Sequence, residues 1–120
     1  MATVLVVDDE PFIRSMMTEV LQKEGHSVFT AGCSAQALSL FRSHCREIDL
    51  LITDIVMPEM DGPALANKIQ AERPGLPVLL MSGSCDTREL NNSFEFLPKP
   101  FSISDLLKRV RSLAQRREAA

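Results

Sequence analysis

Five short apolar runs recur along this chain, with a helical pattern after nearly every one. That rhythm limits the fold more than any other feature. The runs are Thr3–Val7, Val28–Ala31, Leu50–Thr53, Val78–Met81 and Phe94–Leu97. Each is short and largely apolar without alternation, as strands buried on both faces are. After Pro11, a favoured first helical position, come Phe12, Ile13, Met16, Met17, Val20 and Leu21, and Gly25 supplies a stop. Ala37, Leu38 and Phe41 mark a second helix, and Ala64, Leu65 and Ile69 a third that Pro74-Gly75 closes. A fourth, over Asp86–Asn92, is short and polar; the last carries Ile103, Leu106, Leu107, Val110 and Leu113 behind a Ser102-x-x-Asp105 cap. Strict β-α alternation predicts one α/β domain over residues 1–120: a doubly wound parallel sheet with helices on both faces and right-handed crossovers.

Ligands of such sheets bind outside the carboxyl ends of the strands. Here those ends carry Asp8-Asp9-Glu10, Asp54, Ser82-Gly83-Ser84 and Lys99-Pro100. Taken singly, each has an ordinary reading: acids at the start of a helix, a strand-end aspartate, a turn, a surface lysine. Taken together they fall on one edge of one sheet. Carboxylates crowded there raise one another's pKa or require a cation, and open oxygen ligands suit Mg²⁺. With Lys99 as a point charge and Ser82 as a hydroxyl, the set reads as an anion-transfer site with a nucleophile in it.

Composition excludes other classes. A net charge of −3 argues against nonspecific nucleic-acid binding, and the late basic residues read as the solvated side of the last helix. Three cysteines without metal spacing suit a reducing cytosol, and no apolar run reaches the length of a membrane span. A cytoplasmic location follows. His26 and His44 read as surface residues, and Met16, Met17, Met57, Met60 and Met81 as gap-fillers and loop anchors.

The segments "VLVVDDEP", "DLLITDIVMPEMDG", "VLLMSGS" and "FLPKPF" stand in an order that resembles the response regulator receiver domain of two-component signal transduction. The resemblance covers nearly the whole chain. It implies a flavodoxin-like sheet in the order 2-1-3-4-5 and a phosphoacceptor role for Asp54. It also implies Mg²⁺ held by Asp8, Asp9, Asp54 and the backbone carbonyl of Val56, a phosphate-pairing role for Lys99, and a cis bond before Pro100. Ser82 and Phe96 take the positions of the switch hydroxyl and switch aromatic. The implied partner is a histidine kinase or histidine phosphotransfer protein, met as a monomer, with neither nucleic acid nor membrane. Such a domain phosphorylates and dephosphorylates itself and is not an enzyme with its own substrate.

Three departures qualify this. Only 17 positions separate Ser82 from Lys99, so the fourth helix is shortened. Apolar Val56 cannot orient a water, which predicts a long-lived phosphoaspartate. No effector follows the last helix, which suggests a single-domain regulator or a receiver from a hybrid kinase. Alternatives are a phosphorylation-independent adaptor and an aspartyl-nucleophile phosphatase; the latter usually has an aspartate where Val56 stands. Finally, the apolar positions of the first helix span about 180°, more than core packing needs. The resemblance implies that Ile13, Met17 and Leu21 face inward, which leaves Phe12 and Met16 as an exposed pair beside Pro100, predicted to dock the donor histidine's helices.

Overall fold

The computed structural model describes residues 2–57, 60–82 and 94–119, with the backbone alone at 82 and 116–119. Along the chain run β1 (Thr3–Val7), α1 (Pro11–Lys23), β2 (Ser27–Ala31), α2 (Ser34–Ser43) and β3 (Leu50–Asp54). After these come α3 (Gly62–Glu72), β4 (Val78–Ser82), β5 (Glu95–Pro98) and α4 (Ile103–Ala119). The shortened helix expected over 86–92 lies outside the described residues, as do Gly83, Ser84 and Cys85.

All five strands pair in parallel, in the order β2-β1-β3-β4-β5. A residue's parity along a strand chooses its face. Leu5, Val7, Leu51, Val78 and Leu80 enter one core with Phe41 of α2 and Leu65 and Ile69 of α3. Val4, Val6, Leu50, Ile52, Leu79 and Met81 enter a second with Met17 and Leu21 of α1 and Leu106 and Val110 of α4. Both faces of the sheet are therefore buried, which is why the strands lack polar alternation.

Asp49 sets the register that matters most. Its N–H donates to the Thr3 carbonyl at 2.8 Å, and its Oδ2 accepts the Thr3 N–H at 3.0 Å. From there Val4 pairs with Leu50 and Val7 with Thr53. One more rung places Asp8 beside Asp54, and a one-residue slip between the strands would put the two carboxylates on opposite faces.

The helix ends follow local chemistry. Pro11 opens α1, and the Asp61 carboxylate caps α3 by accepting the Ala64 N–H at 2.8 Å. Ser102 Oγ accepts the Asp105 N–H at 3.0 Å, as its spacing predicts. Beyond α1, Gly25 takes a φ of +93°, a left-handed turn that favours glycine. The two histidines are half-buried rather than surface residues. His26 Nδ1 accepts the Ala2 N–H at 3.0 Å, and His44 stacks on Phe29 at 4.4 Å between ring centroids. Met17, Met57 and Met81 are buried and Met60 packs against the first core, as gap-fillers do.

Candidate functional site

The carboxyl edge of the sheet gathers Asp8, Asp9 and Asp54, with one carboxylate oxygen from each inside a cluster 4.8 Å across. Asp8 and Asp54 arrive there through β1 and β3; Asp9 is the next residue on the loop and is exposed. Asp8 is fully buried. Its Oδ1 accepts the Glu10 N–H at 2.9 Å, while its buried Oδ2 has no hydrogen-bond partner. Burial pushes the Asp8 carboxyl above the usual range, partly offset by the Glu10 N–H and the Lys99 charge. Glu10 stands at the N-cap of α1, as acids at the start of a helix do, without a side-chain cap hydrogen bond.

Lys99 comes from the end of β5. Its Nζ lies 3.1 Å from Asp54 Oδ2 and 3.6 Å from Asp8 Oδ2. Burial pulls its pKa down, but the hydrogen bond and charge of Asp54, with Asp8 and Glu10, outweigh this and leave the ammonium above its ordinary value. The Lys99-Pro100 bond is cis. Asp54 and Asp8 thus face one ammonium beside the exposed Asp9, and the buried Asp8 oxygen that lacks a hydrogen bond lies 3.6 Å from that ammonium. That donor set fits a hard divalent cation such as Mg²⁺.

Glycine is required behind the site. A methyl built on Gly62 would lie 2.1 Å from the Asp54 carbonyl oxygen, and the Gly62 N–H donates to the Ile55 carbonyl at 2.9 Å. The first turn of α3 therefore rests directly on the backbone that carries Asp54. Gly62 closes the "MPEMDG" segment, but nothing in the segment states this packing. Arg14 was also missed; an arginine on an amphipathic helix reads as solvated.

The other expected residues divide. Val56 is exposed beyond β3, where its backbone carbonyl follows the cluster in sequence. Phe96 is half-buried against the first core, and Ser82 ends β4 paired with Pro98, its side chain outside the described residues. Phe12 is 79% exposed and Pro100 is exposed. Met16 is not their exposed neighbour: it is half-buried against the second core. Its position on the helix, about 40° from Phe12 toward Val20 and Ile13, puts it at the margin of the inward arc.

With this geometry, comparison with known proteins is informative. A profile of the response regulator receiver domain matches residues 4–111. The sensor kinase CckA of Brucella abortus is 34% identical across 98% of this chain, and the probable transcriptional regulatory protein TcrX of Mycobacterium tuberculosis 34% across 95%. A receiver domain from Clostridium thermocellum superposes with a TM-score of 0.90 at 30% identity, covering 99% of this chain and 98% of that one. The chain belongs to the response regulator receiver domain family of two-component signalling. It spans 13% of the CckA relative and 50% of the TcrX relative. Among the described residues, no helix is long and apolar enough to cross a membrane.

Proposed function

We propose that this chain accepts a phosphoryl group on Asp54 from the phosphohistidine of a histidine kinase or histidine phosphotransfer protein. The observation that carries this is the Lys99 ammonium held 3.1 Å from Asp54 Oδ2 beside a three-carboxylate cluster. One Asp54 oxygen attacks phosphorus, the P–N bond breaks, and its electron pair leaves with the imidazole. The product is an acyl phosphate, which water later hydrolyses to carboxylate and inorganic phosphate. Asp8, Asp9, Asp54 and the Val56 carbonyl would hold Mg²⁺, which when bound offsets charge on the phosphoryl oxygens. Lys99 supplies the other counter-charge, so catalysis is mostly positioning and electrostatics. The domain acts on itself rather than turning over a separate substrate, in the cytoplasm.

Phosphorylation draws the Ser82 hydroxyl toward the new phosphoryl oxygens and frees space for Phe96 to rotate, choosing between two packings of one surface. Phe96 has no hydroxyl, so a switch that relies on a tyrosine hydrogen bond is not available. Exposed Val56 offers no polar group to aim a water, which favours slow hydrolysis.

The most exposed large apolar residues among those described, Phe12, Val56 and Ile103, each lie a few residues beyond a strand's carboxyl end. That ring around a reactive site favours docking of the donor's helices there, with Phe12 and Pro100 as contacts and Met16 behind them.

The test is mass spectrometry after incubation with a small phosphoramidate donor and Mg²⁺. The parent chain gains one phosphoryl group. Asp54→Asn, isosteric but not nucleophilic, gains none; stoichiometric labelling of that variant at the parental rate would refute the assignment.

A further inference from the structure

Arg14 belongs to α1, yet its guanidinium turns back onto the loop after β1. Its Nη1 donates to the backbone carbonyl of Asp8 at 2.6 Å. The same group lies over Gly32, where a methyl would sit 2.9 Å from Nη1 and 3.4 Å from Cζ. Gly32 is itself held, its N–H donating to Gln36 Oε1 at 2.8 Å.

We propose that Arg14 is a positioning residue for the divalent-cation site, fixing the Asp8–Asp9 peptide through the Asp8 carbonyl, with Gly32 as its seat. This rests on the metal reading given above. Asp8 needs little help: it is buried, its N–H donates to the Ala31 carbonyl at 3.1 Å, and its Oδ1 takes the Glu10 N–H. Asp9 is exposed, so the peptide plane before it does most to aim its carboxylate into the cluster. Arg14 grips the carbonyl of that plane. A charge argument makes the opposite prediction, since removing a nearby cation should tighten Mg²⁺ binding. A positioning role loosens it.

Arg14 lines an open cleft of about 440 Å³ with Ser15, Thr18, Glu19 and Thr30, so shortening it opens space to solvent rather than a void in the core. Calorimetric titration with Mg²⁺ alone, on the full chain, decides. Arg14→Met should weaken binding about tenfold, the lower end of what outer partners of metal ligands contribute. Gly32→Ala, which displaces the guanidinium, should weaken it less. The double variant should bind no more weakly than Arg14→Met, because the methyl then has nothing to displace.

Unchanged or tighter binding by Arg14→Met overturns the proposal, as do losses that simply add. Should Arg14→Met not fold, parental affinity in Gly32→Ala overturns it alone. A parent chain that takes up no Mg²⁺ overturns the metal reading and this inference with it, so the two failures are distinct.

Discussion

Asp8 is fully buried and leaves one carboxylate oxygen without a hydrogen bond. Water would have solvated that oxygen in the unfolded chain, so folding with Asp8 ionised is costly. The sign follows from linkage. A carboxyl whose folded pKa is raised favours the fold below its ordinary value of 3.8, and that advantage is lost as pH rises. At neutral pH the charge therefore weakens the metal-free fold. Asp8→Asn should stabilise that fold by on the order of 1–3 kcal/mol at pH 7, the scale of an unsatisfied buried group. The gain should vanish as pH approaches 3.8. The same variant should lose the rise in unfolding midpoint that Mg²⁺ gives the parent. Thermal unfolding with Mg²⁺ and with EDTA, across pH, checks all three. Asp8, Asp54 and Lys99 were legible because unlike charges at successive strand ends form a pattern. Gly62 and Arg14 were not, because one shows itself as a backbone packed too closely for any Cβ and the other as a 2.6 Å bond to a backbone carbonyl, neither of which the residue pattern announces.

At the scale of elements, apolar runs located the strands to within a residue. The differences have pairing as their cause. β2 starts at Ser27 because Thr3 of β1 pairs with it, and an exposed serine does not extend an apolar run. β5 starts at Glu95, not Phe94, because Leu79 pairs there. Helical periodicity gave the apolar arc of α1, and the family resemblance put Met17 and Leu21 inward, where they are buried, but misjudged the arc's margin. Neighbouring elements fix a helix's rotation, and they bring Met16 against the second core while leaving Phe12 79% exposed. Docking should therefore depend on Phe12 more than on Met16. Phe12→Ala should slow transfer from a phosphohistidine donor about tenfold, the scale of an aromatic anchor at an interface. It should leave labelling by a small phosphodonor unchanged. Parallel single-turnover assays measure both rates, and equal slowing of the two would remove Phe12 from the interface.

At the scale of the whole molecule, one sheet separates two cores that, among the described residues, have no buried side chain in common. Ile69 packs on one side and Ile52 on the other. Ile69→Val and Ile52→Val should each cost about 1 kcal/mol in denaturant unfolding, and together sum to within about 0.5 kcal/mol. The order 2-1-3-4-5 was legible here, because the family's motifs follow one another in a chain whose β-α alternation admits few topologies. Under the phosphoacceptor reading proposed above, the same partition bears on how a phosphoryl group on Asp54 would be felt at Phe96. Asp54 shares its parity with Leu50 and Ile52 and so hangs from the face covered by α1 and α4; Phe96 packs on the opposite face, against the first core. The sheet between them is an insulating wall. Among the described residues the two clusters are separate, so a proposed signal from Asp54 to Phe96 would run around the rim at the carboxyl ends of β4 and β5 rather than through the sheet.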